Sequence, residues 1–258
     1  MRFRTLVILV ALFCGAFYWA GGKLATTITP DRQAQLSELT STASTMSKST
    51  LGTTGRFTRL FYIREAVAQA RQGRPTASLA EVPLPLQQAI LAMEDHRFYQ
   101  HSGIDPEGIL RATLVNLQSG DVVEGGSTVT QQLAKNLFLN QDQTFGRKIE
   151  EAALALALER AYSKEELLEL YLNSIYFGSG AWGIVDASEH YFDKKPQNLS
   201  LAECAMLAGL PNAPSLTSPL EHPEAARQRR QLVLETMVKR GFLGPQQARE
   251  AGNQPLVP

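Results

Sequence analysis

Three short strings hold most of the side chains in this sequence that could do chemistry: EDHRFYQHSGID from Glu94, GGSTVTQQLAKN from Gly125 and RKIEEA from Arg147. Each is dense in carboxylates, amides and cations, yet the residues around them read as buried helix. An unpaired polar group there costs several kcal/mol. Such groups are kept inside a fold when they line a site.

Glu94 is the first candidate. Pro83 and Pro85 open a segment in which Leu86, Ile90 and Met93 recur at helical spacing, and Glu94 follows Ile90 by four residues on the same apolar side. A carboxylate on a core-facing stripe near a helix C-terminus is disfavoured in its ionised form by desolvation and by the helix dipole. Its pKa should therefore rise towards the range useful to a general base or acid. A purely structural pairing with Arg97 or His101 is the alternative.

Gly125 and Gly126 read as a turn into a helix capped by Ser127 or Thr128, with Thr130, Gln131, Gln132, Lys135 and Asn136 following. Helical spacing puts Gln131 and Lys135 on one face, where an amide, an ammonium and the free N–H groups of the helix start could meet one polar ligand. The glycines would let that ligand approach the backbone. The spacing is not that of a Walker loop, since Lys135 lies eight residues after Ser127. Farther on, Thr144 can cap a helix from Phe145 whose first turn carries Arg147 and Lys148. Cations at that end oppose the helix dipole, a conflict that a bound phosphate or pyrophosphate would resolve. Ala152 to Leu158 is an unbroken apolar run, which predicts a helix buried on all sides with Glu150 and Glu151 at its mouth. The plain alternative is an Arg147–Glu151 surface pair contributing about 0.3 to 0.5 kcal/mol.

Helices must position these strings. Ser163 to Glu166 and Ser200 to Glu203 are capping boxes, Pro223 and Gly241 bracket a long amphipathic helix, and Pro245 to Gly252 predicts a short last one. All of these read as scaffold. Tyr176 and Phe177 either border a cleft or fill the core. The fold class is all-α, and no internal repeat is present.

Composition narrows the function further. With 25 basic and 25 acidic residues among 258, the chain has no global field to recruit nucleic acid. Two cysteines, Cys14 and Cys204, make no disulfide framework, and Cys204 reads as a small buried hydrophobe. Thr5 to Gly22 is free of charge and rich in Leu, Val, Phe, Ala and Gly, with Arg2 and Arg4 before it and Lys23 after. That predicts an uncleaved transmembrane anchor, its basic tail in the cytoplasm and the rest outside. The expected organisation is a tail and anchor over 1–23, a polar Ser/Thr/Gln-rich linker over 24–56, and a folded domain over 57–258. The stretch from Arg56 to Arg64 interleaves arginines with Phe57, Leu60, Phe61 and Ile63, as either a membrane-surface helix or a core helix.

In order, EDxxFxxHxGxD, GGSTxTQQLxKN, RKxxEA, KEELLELYLNSIYFG and LSLAECAMLAGLPNAP resemble the five motifs of the bacterial peptidoglycan glycosyltransferases. That family comprises the transglycosylase domain of class A penicillin-binding proteins and the monofunctional transglycosylases. The resemblance covers roughly Leu84 to Pro214. It implies a lysozyme-like, two-lobed helical fold with a membrane-facing jaw, on a single-pass protein of the bacterial cytoplasmic membrane whose catalytic domain is extracytoplasmic. The implied substrate is lipid II, a disaccharide-pentapeptide carried on polyprenyl pyrophosphate, and the implied partners are the growing glycan strand, penicillin-binding transpeptidases and other cell-wall proteins.

Under this resemblance Glu94 is the general base on the acceptor 4-hydroxyl. Glu151, selected over Glu150 only by the motif register, stabilises the transition state or organises the pyrophosphate, with room for a divalent metal, Mg or Mn. Lys135, Arg147 and Lys148 correspond to the cationic cluster that stabilises the leaving pyrophosphate. Ser127, Gln131 and Gln132 would orient sugar and phosphate groups, Asp95 would contact substrate, and Phe98 and His101 would shape the first motif's turn. One departure is Gln143, where family members often carry a basic residue. Neither Ser-x-x-Lys nor Lys-Thr-Gly occurs and 44 residues follow Pro214, so a penicillin-reactive second domain is not expected. The competing readings are a lytic glycosidase using two carboxylates and water, and a non-catalytic scaffold that binds lipid II.

Overall fold

The computed structural model describes Leu60 and residues 62–257, except 72, 121–124, 140–144 and 212–213. The expected anchor, the linker and Gln143 lie outside the described residues. Among those described, no helix is long and apolar enough to cross a membrane.

The described chain is mostly helical. In order it forms α1 (Ile63–Ala70), α2 (Leu84–Glu94), α3 (Pro106–Ser119), α4 (Val129–Phe138), α5 (Phe145–Ala161), α6 (Lys164–Leu172), a hairpin of β1 (Tyr176–Gly178) and β2 (Ala181–Trp182), α7 (Gly183–Phe192), α8 (Leu201–Ala208), α9 (Pro223–Lys239) and α10 (Pro245–Gly252). The two antiparallel strands, with Tyr176 opposite Trp182, correct the all-α expectation. The Tyr176 and Trp182 rings meet tilted at 40° with centroids 4.8 Å apart, and Phe177 of β1 is buried in the core.

Local signals act where the sequence placed them. Pro85 stands in the first turn of α2, where its missing N–H costs nothing. Ser163 and Ser200 accept from the N–H groups of Glu166 and Glu203 and so cap α6 and α8. The apolar helix α8 is the centre of the packing, with α2 against it on one side and α9 on another. Cys204 of α8 is fully buried, and burial pushes its thiol up to about 12, so it serves as core. A second set forms where α4 packs between α5 and α6.

One detail differs from expectation. Helix α5 is not buried all round: Leu154, Ala155 and Leu158 are in the core but Leu156 is 46% exposed, because α4 and α6 cover only part of its circumference. Of the stretch from Arg56 to Arg64, residues 56–59 and 61 lie outside the described residues, and α1 begins only at Ile63. Ile63 and Val67 are buried, and Arg64 donates to the Ala161 carbonyl at the end of α5 while its guanidinium lies 4.5 Å from the Tyr162 ring centroid.

Candidate active site

Glu94 is the last residue of α2, and the chain turns away at Asp95. Asp95 is buried, and its carboxylate ties the first string to the second. One oxygen accepts the N–H of Val129, the first residue of α4, at 3.0 Å, and both lie within 3.0 Å of His101 Nε2. A carboxylate at a helix N-terminus takes up free N–H groups and meets the positive end of the dipole. Thr128 caps the same helix: its Oγ1 accepts from Gln131 N–H and donates to the Gly103 carbonyl at 2.7 Å. The end of α2 and the start of α4 are thereby locked side by side.

That lock presents Gln132 to Glu94. The Gln132 amide donates to Glu94 Oε2 at 2.8 Å, while Tyr171 O–H donates to Gln132 Oε1 at 3.2 Å. Tyr171 is fully buried, which holds its phenol well above its ordinary pKa and keeps it a donor. The amide can then turn only its NH₂ towards Glu94. Burial pushes the Glu94 carboxyl above the ordinary carboxylate value. The Gln132 hydrogen bond and the charges of Arg229 and Lys135 oppose that shift, and Asp95 adds to it. The structural pairing considered for Glu94 involves residues otherwise engaged: Arg97 meets Asp105 at 3.0 Å and Glu107 at 2.7 Å, and His101 meets Asp95.

Glu94 opens on a cavity of about 830 Å³. Across it, Glu151 on the first turns of α5 is 3% exposed, with Arg147 at 3.6 Å and Lys148 in contact with its other oxygen. Lys148 also donates to Ser127 Oγ at 3.0 Å. The Arg147–Glu151 pair is thus no surface ornament: a buried carboxylate gathers two cations and aims them at the second string. Gly125 and Gly126 lie on the same wall. A side chain at Gly125 would meet open space, which leaves the backbone there accessible, whereas one at Gly126 would press to 3.2 Å on Ile109 Cα of α3.

Of the residues read from sequence, Glu94, Asp95, Ser127, Gln132, Lys135, Arg147, Lys148 and Glu151 line this cavity together. Phe98, His101 and Gln131 lie behind it. Phe98 is buried with Lys164 Nζ 4.3 Å from its ring centroid, His101 is turned to Asp95, and Gln131 closes the capping box by accepting the Thr128 N–H at 3.0 Å. Gln131 therefore does not share the ligand-facing side with Lys135, because its amide is spent on the helix start. Glu150, the alternative to Glu151, is half-buried and lies outside the lining.

The wall not foreseen is α9. Arg229, Leu232, Thr236 and Lys239 recur at intervals of three and four and, with Arg240 just past the helix end, face the cavity, as do His96, Asp105 and Arg111. Arg229 Nε donates to the Gly209 carbonyl at 3.0 Å, and its charge reaches Glu94. The basic spacing was visible in the sequence, but it reads equally as the solvated face of an amphipathic scaffold helix. Asp105 is buried, and although burial pushes its carboxyl up, the Gly108 N–H and Arg97 hold it below the ordinary value.

A resident divalent cation does not fit these donors. Among the described residues no three His, Cys, Asp or Glu side chains converge, and a cation at Glu151 would have to displace Lys148 and Arg147. What the cavity offers is one carboxylate with a raised pKa facing a field of fixed positive charge, the equipment for moving a proton at one end of a substrate and receiving an anion at the other.

Known proteins share this arrangement of sequence. The family model described as Transglycosylase matches residues 62–238. Penicillin-binding protein 1A of Aquifex aeolicus is 50% identical over 186 residues, which cover 72% of this chain and 26% of that protein. A Cupriavidus necator protein named as a candidate transglycosylase is 45% identical over 177 residues, 69% of this chain and 76% of its own. The solved penicillin-binding protein 1A of Haemophilus influenzae aligns at TM-score 0.44 and 26% identity over 72% of this chain and 18% of its own, too loosely to carry an argument. The chain spans about a quarter of the length of the Aquifex protein. On the family match and the Cupriavidus relative together, this chain belongs to the transglycosylase family.

Proposed function

We propose that this protein polymerises lipid II into glycan strands, acting as a membrane-anchored peptidoglycan glycosyltransferase. The observation that carries the reading is the cavity itself. Glu94, with its pKa raised by burial, faces the same space as Lys135, Arg147 and Lys148. Ionised Glu94 takes the proton of the acceptor sugar's 4-hydroxyl as that oxygen attacks the donor's anomeric carbon from the face opposite its pyrophosphate. The new bond is β, the α-linked pyrophosphate leaves, and the cations compensate the charge that develops on it. A general base contributes about 10²- to 10⁴-fold in rate, and a preorganised charge on a leaving group about 10²- to 10³-fold. Glu151 acts through Arg147 and Lys148, holding them in place without substrate.

In this reading residues 5–22 anchor the chain in the bacterial cytoplasmic membrane, 24–56 form the linker, and 57–258 form a lysozyme-like catalytic domain of two lobes on the extracytoplasmic side. The apolar stripe of Leu110, Leu114 and Leu117, exposed on α3, suits work at a bilayer surface where the substrate's lipid stays embedded. The growing strand, penicillin-binding transpeptidases and other cell-wall proteins are the partners it would meet.

Full-length protein in detergent, given lipid II, is expected to make strands many disaccharides long and to release polyprenyl pyrophosphate. Cleavage of preformed glycan without polymer from lipid II would instead establish the lytic alternative, and binding of lipid II without turnover would establish the scaffold.

A further inference from the structure

Arg229 and Arg230 are neighbours on α9, about 100° apart around its axis, and their guanidiniums go to different places. Arg229 reaches the Gly209 carbonyl and the cavity. Arg230 is 1% exposed and donates to the carbonyls of Gly252 at 2.9 Å, Gln254 at 2.6 Å and Pro255 at 2.8 Å. These carbonyls end α10 and begin the segment after it, where helical partners run out. A guanidinium is expensive to bury without matched acceptors, and here three carbonyls stand in for its hydration. The same segment is packed closely on α9. Ala248, Ala251 and Leu256 are buried, and a side chain at Gly252 would come within 2.8 Å of Gln231 Oε1. On the opposite side, a side chain at Gly209 would come within 2.8 Å of Arg229 Cγ, so α9 is gripped from two directions.

We propose that Arg230 is a positioning residue for catalysis: by clamping Gly252 to Pro255 against α9 it fixes that helix about its axis and so sets Arg229 opposite Glu94. The proposal rests on the reading of Glu94 as the general base, and it gives residues 245–257, which lie beyond the family match at 62–238, a part in the active site.

The test uses the full-length chain and two changes that keep the core apolar or the charge in place, Arg230→Lys and Leu256→Ala. Lysine retains the charge but cannot span three carbonyls. The groups facing Glu94 are Asp95, Lys135, Tyr171 and Arg229, with Gln132 bonded to it, and of these the clamp bears on Arg229. Three readouts decide the matter: the pH dependence of lipid II polymerisation, hydrogen exchange over residues 223–240, and thermal melting. In both variants exchange over 223–240 should quicken. The acid limb of the rate profile should move up by about half a pH unit as Arg229 withdraws from Glu94, and the plateau rate should fall about 3- to 10-fold with KM changed less than about twofold. The shift should vanish in an Arg229→Gln background, since the two changes act through one group.

An acid limb that stays in place while melting temperature falls would overturn the proposal, leaving Arg230 a stabiliser only. Should Arg230→Lys fail to fold, Leu256→Ala carries the same comparison with the same two outcomes. Wild-type protein that makes no polymer overturns the proposed function and, with it, a catalytic part for Arg230. In protein that does polymerise, unchanged exchange over 223–240 in Arg230→Lys overturns the clamp alone and leaves the proposed function standing.

Discussion

Glu94 is half-buried at the end of α2 on the cavity wall, and its raised pKa has two measurable consequences. The first is kinetic: the proposed base works only when ionised, so the rate of polymerisation should rise with pH through an apparent pKa above the ordinary carboxylate value of 4.5. Gln132→Leu, which removes the hydrogen bond that favours the ionised form, should move that limb higher still, by about half a unit or more. The second is thermodynamic. A carboxyl whose pKa is higher folded than unfolded costs nothing below the unfolded value, where both states hold the proton. Its cost appears as pH rises through the unfolded value and is complete above the folded one. Glu94→Gln should therefore melt close to wild type near pH 4 and higher than wild type near pH 8, and a melt that is lower at pH 8 would count against the assignment. Such a gain in stability on removing a working group is the usual signature of an active site. Glu94 and its raised pKa were legible from the apolar spacing of Leu86, Ile90 and Met93. The roles of Asp95 and Gln131 were not, because which polar side chain reaches inward and which closes a cap depends on the partner helix.

Elements were legible to the extent that their signals are local. Pro85, Thr128, Ser163 and Ser200 each start a helix where their type predicts, since capping is a matter of a few neighbouring residues. Thr128 does more than cap, because its hydroxyl also reaches the Gly103 carbonyl in the turn of the first string. Thr128→Ala should lower unfolding free energy by about 1 to 2 kcal/mol, measured by urea denaturation, and should lower activity further than the unfolded fraction explains. Equal losses in both would reduce Thr128 to a cap. The β1–β2 hairpin escaped prediction because two to three residues carry too short an alternation to register against helix on either side. The α9 wall escaped for another reason. Arg229, Thr236 and Arg240 have the spacing of any solvated face, and only the packing of α9 on α2 and α8 turns that face towards Glu94.

At the scale of the molecule, a chain with equal numbers of acids and bases gathers seven of its 25 cations around one cavity. Arg111, Lys135, Arg147, Lys148, Arg229, Lys239 and Arg240 line the space that Glu94 and Glu151 share. Neutral composition offers no global field for nucleic acid but could not reveal a local field, which only the fold assembles. Attraction of a pyrophosphate into such a field weakens as salt screens it. Raising ionic strength from about 0.05 to 0.5 M should raise KM for lipid II several-fold while moving kcat much less, and Arg147→Ala should flatten that dependence.

The claim on which all of this depends is that Glu94 removes the acceptor's proton. The most direct measurement is the polymerisation rate of Glu94→Gln at saturating lipid II, on protein whose circular dichroism and melting show an intact fold. The account predicts a loss of at least about 10²-fold with lipid II still bound. A variant that polymerises at the wild-type rate would contradict it.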